Sequence, residues 1–303
     1  MRNNSLGDII RSLRKKAGLS QEELADGICS PVSVSRIENG TQMPSGTVLE
    51  AILDRLGTST YQICDVYYKS EKQMEFEQEA AGVSRLITEG KPAEARERLN
   101  GLEKSVGGNS RNRQYYLLLD ATLRLYEAEN TEEILSLLQD ALGQTKTSFD
   151  YEDFRNILLS AREANILSVM TAALFRAGES LKAIRMGEEL MSSLIKHKSG
   201  LTEYTIIRIN LAFNLSQCLE EEKRYQEAFE YVKMAEELSL GSFEQALLPE
   251  IEFLKAKMYH LLGDDSQSAA VLRAIVPYMD LIQKTDFAEL VRGYAKKELG
   301  LAI

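Results

Sequence analysis

Tryptophan is absent from the 303 residues, and proline (five), cysteine (three) and histidine (two) are scarce. So few prolines leave long helices uninterrupted, which suits an all-α chain. Cys29, Cys64 and Cys218 form no C-x-x-C and have no histidine pair beside them. Each reads as a small buried apolar residue rather than a ligand. His197 and His260 are far apart on expected helices, without a serine or cysteine elbow or a glycine-rich phosphate loop. Neither enzyme chemistry nor a cofactor is expected, and nothing has metal-ligand spacing. No apolar run approaches the roughly 18 residues of a membrane span, and the N-terminus lacks a signal peptide's apolar core. The expected location is cytoplasmic.

What is present is ordinary material for a folded core: 44% hydrophobic and 27% charged residues, in a chain long enough for two domains. The stretch from Gly18 to Gly40 reads as two short helices joined by a tight turn. Ser20 and Glu23 form a capping box, and Leu24, Ala25 and Ile28 mark one buried face. Ser30 and Pro31 start the next helix, Val34 and Ile37 face inward, and Asn39-Gly40 ends it. Val32, Ser33, Ser35 and Arg36 are left facing out. Helices this short cannot bury a core alone; their arrangement is that of a helix-turn-helix, whose second helix enters the DNA major groove.

The segment resembles the Xre/lambda-repressor family of DNA-binding domains, through Leu19-Ser20-Gln21-Glu22-Glu23-Leu24-Ala25 and Ser35-Arg36-Ile37-Glu38-Asn39-Gly40. A first helix is expected over 6–16, with Leu6, Ile9, Ile10 and Leu13 inside. Fourth and fifth helices are expected over about 45–56 and 60–68. The resemblance implies a structural pair between Arg14 and Glu38. For DNA contact, Arg36 is the best base reader, since a guanidinium bridges guanine O6 and N7, and Val32 suits a thymine methyl. Ser33 suits a base or a phosphate. Gln21 and Ser30 lie at helix N-termini, where phosphates bind, and Asn39 and Thr41 follow the recognition helix toward the backbone.

The net charge of −10 is unevenly spread. Residues 1–70 hold eight Lys/Arg and eight Asp/Glu, so all of the excess acid lies in the remainder, and Arg11, Arg14, Lys15 and Lys16 cluster within the first part. Such weak basicity predicts modest, salt-sensitive DNA binding that gains from dimerisation.

Beyond residue 70, long amphipathic helices alternate with short polar breaks. A signature recurs, with its closing small or apolar residue at Ala95, Ile134, Ala183, Ala228 and Ala269. This resembles tetratricopeptide (TPR) repeats with lengthened helices. Five helix pairs are expected to stack into a right-handed superhelix with a concave face, closed by a helix from Asp286 to Leu299. The expected division is a DNA-binding domain over 1–69 and a TPR-like domain over 70–303. Aligning the repeats on Ala183 and Ala228 sets Asn165 opposite Asn210; Glu203, Asn210, Asn214 and Gln217 form a polar stripe. An asparagine amide offers an acceptor and two donors, which suits a peptide backbone. The same count puts Tyr116 and Asp120, then Glu77 and Ala81, at the matching places of earlier repeats.

An Xre-type domain followed by five TPR-like pairs resembles the RRNPP family of Gram-positive regulators, the group of PlcR- and Rgg-type proteins. The short Gly27-Ile28-Cys29-Ser30 turn is typical of that group. The resemblance implies a homodimeric transcription factor that binds a palindromic operator. It also implies that the repeats bind a short signalling peptide, for which Asn165, Asn210, Asn214 and Gln217 are the candidate residues. A regulator whose repeats bind a partner protein is the alternative, and a third reading makes contact with a signalling protein primary and DNA binding secondary. A narrow asparagine-lined groove favours the peptide, and a broad apolar surface favours the protein partner.

Overall fold

The computed structural model describes residues 6–57, 71–196, 202–242 and 244–303. Its contacts divide the chain into two compact units, Met1–Gln78 and Glu79–Ile303. All regular structure among the described residues is helical.

In the first unit, α1 (Leu6–Lys16), α2 (Gln21–Ala25), α3 (Pro31–Glu38) and α4 (Gly46–Arg55) enclose a small core. Each start after α1 follows the rule that a side-chain oxygen satisfies a free amide of the first turn. Ser20 and Glu23 form the expected capping box, Ser30 accepts from the Ser33 amide with Pro31 behind it, and Ser45 accepts from Val48. Ile9, Ile10, Leu24, Ala25, Val34, Ile37, Ile52 and Leu53 are buried together. Burying each leucine or isoleucine contributes roughly 1.5–3 kcal/mol. Gly7 lies where α1 crosses α3 closely; a Cβ there would be 2.3 Å from the Ile37 carbonyl oxygen. Gly40 takes φ 71° beyond α3, the left-handed stop expected there. The expected fifth helix over 60–68 lies outside the described residues, as does Cys64.

Helix α5 (Glu71–Thr88) runs through the division between the units. The repeat unit continues with α6 (Pro92–Glu103), α7 (Ser110–Tyr126), α8 (Thr131–Gly143), α9 (Ala161–Arg176) and α10 (Ser180–Lys196). It ends with α11 (Thr202–Glu221), α12 (Tyr225–Ser242), α13 (Leu248–Leu261), α14 (Asp265–Leu281) and α15 (Thr285–Leu299). This is a TPR-like α-solenoid: α7–α8, α9–α10, α11–α12 and α13–α14 pack as pairs, and α9 touches both α7 and α11, so first helices lie side by side.

One turn device repeats along the unit. A left-handed residue ends the first helix: Gly90, Ala128, Gly178, Lys223, Gly263 and, between α14 and α15, Gln283. The next amide then bonds back to the last turn, as in Lys91 N to Leu86 O (2.9 Å) and Arg224 N to Leu219 O (2.8 Å), the Schellman closure. The second helix then buries its fourth residue completely: Ala95, Ile134, Ala183, Ala228, Ser268 and Ala288 are all 0% exposed. The fifth of these is Ser268, not the expected Ala269, and the device occurs once more at Ala288. Ser268 is the odd member, because its buried Oγ has no hydrogen-bond partner.

Candidate nucleic-acid interface and repeat-unit groove

Glu38, the last residue of α3, is 1% exposed. A buried carboxylate must be paired. Arg14 donates to it twice, Nε to Oε1 at 2.6 Å and Nη2 to Oε2 at 3.0 Å. This is the pair expected from the sequence. Gln21 Nε2 donates to Oε2 at 2.8 Å and Arg11 Nε at 3.4 Å. Burial would push Glu38's pKa up; the hydrogen bonds from Arg14 and Gln21, with Arg14's charge, outweigh it and hold the carboxyl below its ordinary value. Arg11 also donates from Nη2 to Asn39 Oδ1. Its role was not legible, because Arg11, Arg14, Gln21 and Asn39 meet only once α1, α2 and α3 are packed.

The other expected DNA-facing residues divide into tied and free. Ser30 Oγ is 2.9 Å from Ser33 Oγ and also caps α3. Thr41 Oγ1 donates to the Arg36 carbonyl at 3.0 Å. Val32 is 58% exposed. Arg36 is exposed and pairs with no described side chain. The arrangement therefore presents one unpaired guanidinium beside one apolar methyl pair on α3, steadied from behind by Glu38.

In the repeat unit, Asn165 on α9 and Asn210, Asn214 and Gln217 on α11 are all half-buried. None of the four makes a side-chain hydrogen bond among the described residues. Asn165 and Asn210 stand equally far before the left-handed residues Gly178 and Lys223, so they occupy equivalent places on touching helices. The second pair needs a correction. Its left-handed residue, Ala128, stands two before the cap Asn130 rather than one, so the turn carries an extra residue. Counting back from Ala128 gives Tyr115 and Leu119 as the equivalents, instead of Tyr116 and Asp120. Asp120 is turned away, bonded to Arg96 Nη1 at 2.6 Å and to Arg124. In the fifth pair the equivalent residue is Glu250, held by Lys284 Nζ at 2.7 Å.

The free amides are thus confined to α9 and α11. Along the same face run Val169, Ala172 and Ile206, all partly exposed. A cavity of about 550 Å³ lies elsewhere, between α12, α13 and α14, lined by Leu240, Leu248, Val271, Ile275, Tyr278 and Glu252; none of the four amides borders it. Cys218 is buried and its thiol is pushed up to about 12 by that burial, while Cys29 is half-buried. His197 lies outside the described residues. No described helix is long and apolar enough to cross a membrane.

Residues 10–63 match the helix-turn-helix family HTH_3. The chain is similar over nearly its whole length to solved regulators. Bacillus thuringiensis PlcR, crystallised with the peptide PapR7 and DNA, is 19% identical, with 95% of this chain and 99% of that chain covered and a TM-score of 0.76. ComR from S. thermophilus, in complex with DNA and its signalling peptide ComS, is 16% identical, with coverage of 98% and 100% and a TM-score of 0.63. The SHP pheromone receptor Rgg2 of Streptococcus dysgalactiae is 16% identical, with coverage of 97% and 100% and a TM-score of 0.56. No curated protein matches the sequence. The likeness establishes the fold: an N-terminal helix-turn-helix domain followed by a helical repeat domain, the architecture of PlcR, ComR and Rgg2.

Proposed function

We propose that the protein is a sequence-specific DNA-binding transcription regulator whose repeat unit binds a short signalling peptide. The observation that carries this reading is the set of half-buried, unpartnered amides Asn165, Asn210, Asn214 and Gln217 on two touching helices. A peptide backbone supplies the donors and acceptors they lack, whatever its side chains. The free Arg36 and exposed Val32 on α3 supply base readout, with Gln21, Ser30, Ser33, Asn39 and Thr41 as positioning contacts to the phosphate backbone. PlcR with its peptide and DNA, and ComR with its peptide and DNA, support the combination. The protein works as a cytoplasmic homodimer on a palindromic operator, because two heads must meet half-sites one helical turn apart. It is not an enzyme.

A peptide changes DNA affinity only by binding two arrangements of the repeats unequally. Filling the groove alters the pitch of the superhelix, and that changes the spacing or freedom of the two heads. The test begins with DNA recovered by the full-length protein from a random duplex pool. Its affinity is then followed across a full titration with short peptides encoded beside the gene. A shift with one peptide supports the coupling; an unchanged affinity for all of them rejects it.

A further inference from the structure

The second helices of the repeat pairs differ in the bulk they carry at matching places. Counted from the buried residue four places into each, Ala270, Val271 and Ala274 on α14 match Glu230, Tyr231 and Met234 on α12. Tyr231 and Met234 pack onto the core, and Tyr231 lies within reach of the Glu188 charge on α10. On α10 the same places hold Arg185, Met186 and Glu189. Met186 packs onto the core, while Arg185 pairs with Glu152 and Glu189 with Arg155, both in the connection between α8 and α9. All three side chains on α14 are smaller than their counterparts on the two preceding second helices. The cavity of about 550 Å³ stands against these small residues.

Its wall is otherwise apolar, with Leu240 exposed at the edge; the polar members are the exposed Gln245 and Glu252. The Glu252 side chain is 15% exposed. Lys255 Nζ reaches Glu252 Oε2 at 3.3 Å and Glu236 Oε1 on α12 at 2.7 Å. One ammonium thus serves two half-buried carboxylates. Burial raises Glu252's pKa, Lys255 lowers it, and Glu236, hydrogen-bonded to it, raises it again. Two carboxylates with one cation leave one negative charge or one shared proton beside apolar space, where charge is costly unless paired. A second cation completes the set; an anion is repelled.

We propose that this cavity binds a small apolar molecule carrying one ammonium group, with the ammonium on Glu252 and the apolar body against Val271, Ala274 and Tyr278. The volume lies within the roughly 300–1,000 Å³ of small-molecule sites, and an apolar wall with a single charged group is their usual composition. None of Asn165, Asn210, Asn214 and Gln217 borders the cavity, so the proposal is independent of the peptide reading and gives the repeat unit a second ligand. The probes are phenylbutylamine, phenylbutanol and phenylbutyrate, which share one apolar body and differ in charge. Each is titrated calorimetrically into the full-length protein at neutral pH.

The amine should bind roughly tenfold or more tightly than the alcohol or the carboxylate. Glu252→Gln keeps the shape of the site and should bring the amine to the affinity of the alcohol. Ala274→Leu fills the cavity and should abolish binding of the amine; Ala270→Leu takes its place should that variant melt early. Equal binding of the three probes, a preference for the amine that survives Glu252→Gln, amine binding that survives the filled cavity, or no binding of the amine each overturns the proposal and leaves the peptide reading standing.

Discussion

Behind α3, Glu38 gathers Arg11, Arg14 and Gln21, and Arg11 goes on to hold Asn39; along α9 and α11, Asn165, Asn210, Asn214 and Gln217 hold nothing. The first unit presents its proposed DNA face ready-made. Most of its polar side chains are tied to one another, so little order has to be gained on binding. The groove is the reverse, a set of polar side chains that make no hydrogen bond among the described residues, as the proposed peptide site requires. A rigid DNA reader and a receptive groove are what the proposed ligand-controlled regulator requires.

The comparison breaks most severely at Glu38. Glu38→Ala leaves the half-buried Arg14 without the buried carboxylate it holds, which costs at most about 3–5 kcal/mol. Melting of the first unit, followed by hydrogen exchange over residues 6–57, should collapse while the repeat unit keeps its protection. Acid acts in the same direction. Glu38's pKa is depressed in the folded state, so its contribution is complete above the ordinary 4.5 and is lost as pH falls through its own lower value. Glu252 in the repeat unit is shifted the other way, first by burial and then by Glu236, so falling pH relieves that site. Exchange measured down a pH series should therefore open residues 6–57 before the region around Glu252.

Gly7→Ala is next. Its Cβ would collide with backbone, the carbonyl oxygens of Ile37 and Glu38, rather than with a flexible side chain. α1 must move off α3, at about 1–3 kcal/mol, read from thermal melting. Arg36→Ala should leave melting unchanged and weaken binding to selected DNA by about 1–3 kcal/mol, with relaxed preference at one base pair. The smallest effect is a gain. Ser268→Ala removes a buried hydroxyl with no partner and restores the residue type found at four of the other five equivalent positions, so the repeat unit should be stabilised by about 1 kcal/mol. A loss of stability instead would show that Ser268 has a use that its surroundings do not reveal.

The sequence made legible whatever depends on neighbours a few residues apart. The Ser20–Glu23 capping box, the Ser30–Pro31 start, the inner stripe of α1 and the Gly40 stop follow from local chemistry, and the structure has all of them. The repeats were legible through their turns, and the errors there have local causes. Ser268 is polar and precedes an alanine, so the eye takes Ala269 as the buried residue. The extra residue before Asn130 shifts the first helix of that pair without disturbing its second, which hides Tyr115 behind Tyr116. Contacts made across elements left no periodic trace. Arg11 on Glu38, and Arg162 on Tyr115, join residues whose spacing in the chain means nothing until the helices pack.

The most direct measurement is calorimetric titration of the full-length protein with short peptides encoded beside its gene, with Asn210→Ala in parallel. The account predicts that one peptide binds at micromolar affinity or tighter and that Asn210→Ala abolishes it while melting stays unchanged. Binding that survives the substitution would contradict the claim that the free amides of α9 and α11 hold the peptide.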